Sequence, residues 1–107
     1  MTDTLRHYIG GERVAADAPA ESLNPSNTND VVAKVPMGGQ AEVDAAVDAA
    51  KQAFPNWSEA SPEVRSDLLD KVGSTIIARS ADIGRLLARE EGKTVAEGVG
   101  ETVRAGR

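Results

Sequence analysis

At Gln40 the spacing of apolar residues changes from about 2 to about 3.6, and this change limits what the chain can form. Before it, "HYIGGERV" sets Gly10 and Gly11 between short runs holding Tyr8, Ile9 and Val14. Paired glycines supply the positive φ angles of a tight hairpin turn. Leu23 and the run at Val31, Val32 and Val35 flank "NPSNTND", rich in residues that turn the chain through local hydrogen bonds or a fixed proline φ. Residues 1–38 therefore read as strands and turns in a small antiparallel sheet or ribbon. Residues 39–107 read as a helical segment.

Four helices are expected there. In the first, Val43, Ala46, Val47, Ala50 and Phe54 share a face, and Glu42 and Asp44 complement the dipole of the first turn. Pro55 is expected to end it. The second opens with Ser61 as N-cap and Pro62 at the first helical position. Val64, Leu68, Val72 and Ile76 form its stripe, widened by Leu69 and Ile77, and Asp67–Lys71 is an i,i+4 ion pair. The third runs from Ser80, turns Ile83, Leu86 and Leu87 inward, and stops at Gly92.

Thr94 and Glu97 make a capping box for the fourth, which carries Val95, Val99 and Val103. Gly98, Gly100 and Gly106 weaken that helix by about 1 kcal/mol each relative to alanine. A helical glycine usually answers a closely passing backbone. No segment of this chain is an obvious candidate, so the expected partner lies outside it.

Composition excludes several classes of function. Seventeen acidic residues against twelve basic ones give a net charge of −5, and the basic residues are scattered, so nucleic-acid binding is not expected. With no cysteine, the chain holds neither disulfides nor a thiol nucleophile. No apolar run approaches a membrane span, and the start lacks a signal-peptide core, so a soluble cytoplasmic protein is expected and no membrane partner. Tyr8, Phe54 and Trp57 are the only aromatic residues, which leaves the core to Ala, Val, Leu and Ile.

Motifs that hint at chemistry are incomplete. Gly92-Lys93-Thr94 resembles the end of a phosphate loop, yet Leu87 stands where the first glycine belongs and no strand precedes it. "GVGETVRAG" lacks the third glycine of a dinucleotide fingerprint at its proper place. His7, the single histidine, is expected at the surface near the terminus. Glu90 and Glu91 are adjacent on a helix and so do not face one another. Trp57 reads as a packing anchor.

The order of the motifs is more informative than any one of them. Tyr8–Glu12, Asn24-Pro25, Phe54, Trp57, Glu90, Gly92 and Lys93 resemble, in sequence and spacing, the N-terminal portion of the NAD(P)-dependent aldehyde dehydrogenase superfamily. The likeness runs from about Tyr8 to Arg107. "EEGKTVAEGVGE" is most similar to the branch that oxidises α-ketoglutaric semialdehyde, with succinic semialdehyde as a neighbouring substrate.

The resemblance implies an α+β fragment of an α/β enzyme, a hairpin and short strands followed by about four helices, together one partial cofactor-binding domain. It also implies that the Rossmann core and catalytic domain are absent from these residues. No catalytic or cofactor-binding residue is expected in the chain, which by itself should be inactive, while the parent family uses NAD or NADP. The Leu23 carbonyl and Glu90 match positions where some members hold a monovalent cation, for which oxygen ligands suit a hard ion. The expected partners are the rest of the parent enzyme or further copies of the chain. The alternative is a stand-alone helical module that binds through Val95, Val99 and Val103.

Overall fold

The computed structural model describes residues 2–107. Its strands are β1 (Asp3–Thr4), β2 (His7–Ile9), β3 (Glu12–Val14), β4 (Ala20–Asn24) and β5 (Asn27–Val35). Helices α1 (Gln40–Glu59), α2 (Pro62–Ala78), α3 (Ser80–Glu91) and α4 (Val95–Ala105) follow. Element type thus changes between Val35 and Gln40, but packing divides the chain differently. One compact unit gathers the residues up to Ser22 with Ala33–Ala60, and the other joins Leu23–Val32 to Ser61–Arg107.

In the first unit β2 and β3 form the expected hairpin, with His7 opposite Val14 and Ile9 opposite Glu12. Gly10 and Gly11 both have positive φ, 61° and 83°, as a two-residue primed turn requires. The other sheet has the order β1-β5-β4. It departs from the antiparallel expectation, because β1 runs parallel to β5, pairing Asp3 with Ala33 and Thr4 with Lys34. Parallel pairing joins segments distant in sequence, so no local turn announces it.

Helix α1 also departs from expectation. Pro55 lies inside it, and the helix runs on to Glu59. Proline removes one hydrogen bond to the carbonyl four residues back but leaves φ helical, so a helix can continue beyond it. The Ser58 hydroxyl donates to the Pro55 carbonyl at 3.0 Å. The stop comes at Ala60, extended at φ −61° and ψ 145°, and Ser61, extended in turn because Pro62 follows it, opens α2. At the other end the Gly39 N–H donates to the Glu42 carboxylate at 2.7 Å. That contact holds Glu42 below its ordinary pKa.

The second unit is built on close backbone crossings. A Cβ at Gly84 of α3 would lie 2.6 Å from the Val99 Cα of α4, and one at Gly98 would strike the Gly84 carbonyl oxygen. Ala88 and Thr102 are buried beside them, and the Thr102 hydroxyl is satisfied by the Gly98 carbonyl at 2.8 Å. A second crossing joins α2 to the end of α4, where a Cβ at Gly73 would lie 2.5 Å from the Gly106 carbonyl oxygen. The partners of Gly98 and Gly106 therefore lie within the chain, contrary to expectation. They escaped the sequence reading because each crossing needs a glycine on an earlier helix, Gly84 or Gly73. Gly100 differs: a Cβ there would meet nothing within 4 Å.

The anticipated apolar stripes exist, but little covers them. Phe54 on α1 is 65% exposed and Leu69 on α2 62%, and no residue of α1 or α2 is buried. Trp57, expected as a packing anchor, is 40% exposed. The ion pairs among the described residues do not include Asp67–Lys71. No helix among them is long and apolar enough to cross a membrane.

Glycine substitutions test the crossings. Gly84→Ala and Gly98→Ala should each destabilise by about 1–3 kcal/mol through overpacking, despite the better helix propensity of alanine. Gly100→Ala should instead stabilise by about 0.5–1 kcal/mol. Urea unfolding followed by circular dichroism checks all three, and equal effects at the three sites would contradict the crossings.

Candidate functional site

The richest polar cluster of the second unit ties the β4–β5 turn to the end of α3. The Ser26 N–H donates to Asn24 Oδ1 at 2.9 Å, an Asx turn that shapes the Pro25-Ser26 corner. The Ser26 hydroxyl donates to the Gly92 carbonyl at 3.0 Å. Gly92 itself ends α3 at φ 78°, with its N–H on the Ala88 carbonyl. A Cβ at Gly92 would sit 3.1 Å from both Pro25 Cβ and Ser26 Oγ, so conformation and space both ask for glycine.

Four residues earlier, Arg89 grips Asp30 of β5 with two donors, Nε to Oδ2 at 3.1 Å and Nη2 to Oδ1 at 2.6 Å. Asn24 Nδ2 adds a third donor to Asp30 at 3.2 Å. The Arg89 hydrogen bond, then the Asn24 one, holds the Asp30 carboxyl below its ordinary value, and Asp30 raises Arg89 in turn. The pair is partly solvated, so it contributes more to geometry than to stability.

Lys93 lies in the short link between α3 and α4, its side chain 17% exposed. Its ammonium donates to Glu101 on α4 and pairs with Glu91 at 2.9 Å. Glu101, then Glu91, raises the Lys93 pKa. The lysine of the apparent phosphate motif thus neutralises two carboxylates and folds α4 back on α3. The capping box reads as expected: the Thr94 hydroxyl accepts the Glu97 N–H at 3.3 Å, and Thr94 holds Glu97 below its ordinary pKa.

Two concavities border this cluster. A cleft of about 330 Å³ is lined by Asn24, Ser26, Arg85, Arg89, Lys93 and Val95 among others. Its cations are engaged with Asp82, Asp30, Glu91 and Glu101. The other is an open apolar trough of about 540 Å³, lined chiefly by Ile76, Ile83, Leu86, Leu87 and Ala105. Glu90 and Glu101 stand at its wall.

The two candidate cation ligands fall in different surroundings. Glu90 is exposed and lines the trough, whereas Leu23 lies on β4 and lines neither concavity. No group of three or more acidic or histidine side chains placed to hold a metal occurs among the described residues. His7 is half-buried rather than at the surface: its ring packs against Gly38, and its Nε2 is buried with no hydrogen-bond partner. It shares a small cleft with Glu42 and Tyr8 in the first unit. The Asp30–Arg89 clasp was not read from the sequence, since 59 residues separate its members. The Lys93 pairing had a local signal, opposite charges on both sides of the Gly92–Thr94 link.

The pH dependence follows from the clasp. With its pKa depressed in the folded chain, Asp30 contributes stability above its ordinary 3.8 and loses it as pH falls through the lower folded value. The difference in urea midpoint between the wild type and Asp30→Asn should therefore be full at neutral pH. It should shrink once the pH falls below about 4 and go on shrinking as acidification continues. A difference that grew on acidification would contradict this assignment.

Comparison with known proteins accounts for the arrangement. Residues 13–107 match the model of the aldehyde dehydrogenase family. The chain is 44% identical over 91 residues to 2-aminomuconic semialdehyde dehydrogenase of Danio rerio, covering 85% of this chain and 18% of that protein. It is 36% identical over 104 residues to malonate-semialdehyde dehydrogenase 2 of Geobacillus thermodenitrificans, covering 96% and 22%. A solved structure of Thermus thermophilus 1-pyrroline-5-carboxylate dehydrogenase superposes with a TM-score of 0.94 at 34% identity, covering 98% of this chain and 20% of that one. The chain thus spans about a fifth of the length of the relatives it matches. Its short strands and four helices correspond to the N-terminal portion of their fold. The chain belongs to the aldehyde dehydrogenase family.

Proposed function

We propose that this chain serves as the N-terminal shoulder of the cofactor-binding domain in a soluble, cytoplasmic enzyme that oxidises a semialdehyde to its carboxylate with NAD or NADP. The observation that carries this reading is the family match over residues 13–107 in a chain whose helices leave their apolar stripes uncovered. Such faces suit a scaffold: α3 and α4 are locked together from within, and their outer surfaces remain for further elements. The 107 residues contain no cysteine, so a thiohemiacetal has no thiol to form on here, and the chain alone is inactive.

The substrate class rests on the names of the relatives. Aminomuconic and malonate semialdehydes both carry a carboxylate as well as the aldehyde. The α-ketoglutaric semialdehyde suggested by "EEGKTVAEGVGE" has the same chemistry, and we propose it as the first substrate to try. The Leu23 carbonyl and Glu90 remain proposed cation ligands, to be tested by comparing thermal midpoints in potassium and in a bulky organic cation.

A chimera tests the scaffold role. This chain should replace the matched segment of the Geobacillus thermodenitrificans enzyme and leave its oxidation of malonate semialdehyde within about tenfold of the parent rate. A chimera that is insoluble, or soluble and slower than that, would contradict the reading.

A further inference from the structure

The imidazole of His7 sits where the β2–β3 hairpin meets the start of α1. A Cβ at Gly38 would lie 3.3 Å from His7 Cε1, 3.6 Å from His7 Nε2 and 3.5 Å from Glu42 Cβ, so the two side chains meet over that glycine. They line one cleft of about 260 Å³ together with Tyr8, Ile9, Val43 and Ala46. His7 Nε2 is buried there without a hydrogen-bond partner, which costs stability in either tautomer. The Gly39 N–H holds Glu42 through Oε2, and a carboxylate has acceptor positions beyond the one that contact uses. After the backbone N–H groups of Gly39 and Glu42, charge on His7 also favours the ionised Glu42 carboxyl.

We propose that His7 and Glu42 form a proton-operated clasp between the hairpin and the first turn of α1. A proton from solvent charges the ring, and Nε2–H then donates to the Glu42 carboxylate after a side-chain rotation over Gly38. With the ring neutral the clasp opens, and Nε2 stays buried and unpartnered. Imidazole is the side chain whose charge changes between about pH 5 and 8, so ordinary shifts in pH operate the clasp. A bond that only the charged ring makes stabilises at the acid end of that range and is lost as pH rises. The groups around His7 select Glu42 as its partner. Of the α1 residues lining the cleft, Val43 and Ala46 are apolar and Glu42 alone can carry charge. Across the hairpin, Val14 lies opposite His7, and Glu12 lies opposite Ile9 and is exposed. Arg13 lies over the Tyr8 ring, 5.1 Å from its centroid, and exposed Arg6 has the same sign as the charged imidazole.

A double-mutant cycle on the 107-residue chain tests the clasp, with urea midpoints read at about pH 5.5 and about pH 8. His7→Gln and Glu42→Gln keep polar side chains, and the glutamine carbonyl at position 42 can still accept from Gly39. At about pH 5.5 the losses of the two single variants should together exceed that of the double variant by at least about 0.2 M urea. At about pH 8 they should add. Glu12→Gln should show no such coupling to His7 at either pH. Losses that add at both pH values, coupling of the same size at both, or coupling to Glu12 in place of Glu42 would each overturn the clasp. In the wild type the Glu42 carboxyl carbon resonance should follow the His7 ring between about pH 5 and 8, and in His7→Gln it should not. A Glu42 signal that ignores the ring would overturn the clasp even where a variant fails to fold.

Discussion

The backbone contact between α3 and α4 at Gly84 and Gly98 is the constraint on which the second unit depends. Helices joined by a three-residue link must fold back on one another, and here they meet main chain to main chain, with Ala88 and Thr102 filling the space beside the glycines. Three features bring them to that point. Gly92 ends α3 in the left-handed conformation, the Thr94–Glu97 box starts α4, and Lys93 neutralises a carboxylate on each helix. A chain with three aromatic residues lacks large side chains to wedge helices apart, and close approach is the packing mode left to it. The second crossing, Gly73 to Gly106, carries the same principle to α2.

Packing by close approach buries little apolar area, and this connects the fold to its proposed role. The interior is made of Gly84, Gly98, Ala88, Thr102 and Val32, while Val64, Leu68, Leu69 and Val72 of α2 lie open. Burial of large apolar side chains is the main favourable contribution in most domains. A unit that leaves them uncovered is well suited to be one layer of a larger assembly. The match to one fifth of several semialdehyde-oxidising relatives gives the same picture from a separate direction.

Local chemistry made much of this legible in the sequence. Ser61-Pro62, Gly92, and Thr94 with Glu97 each placed a helix boundary within a residue or so, because a cap is decided by a few neighbouring groups. Gly10-Gly11 likewise announced its turn. What required distant partners was not legible. The parallel pairing of β1 with β5, the Asp30–Arg89 clasp and the glycine crossings each join residues whose spacing carries no signal. Pro55 misled for a different reason. Its rule describes the loss of one hydrogen bond, and a helix of twenty residues absorbs that loss. The stripes on α1 and α2 were identified correctly as apolar faces, although periodicity by itself shows which face is apolar and not whether anything covers it. Of the site residues, Glu90 was placed on α3, but the trough it lines is formed only by the crossing of helices.

Hydrogen exchange of the 107-residue chain, resolved by peptide, tests the central claim most directly. If the α3–α4 crossing organises the structure, protection should concentrate in residues 84–104, and α1 amides should exchange at least about a hundredfold faster. Equal protection across α1 and α4 would contradict it, because the chain would then be closing a core of its own over the faces that lie open here.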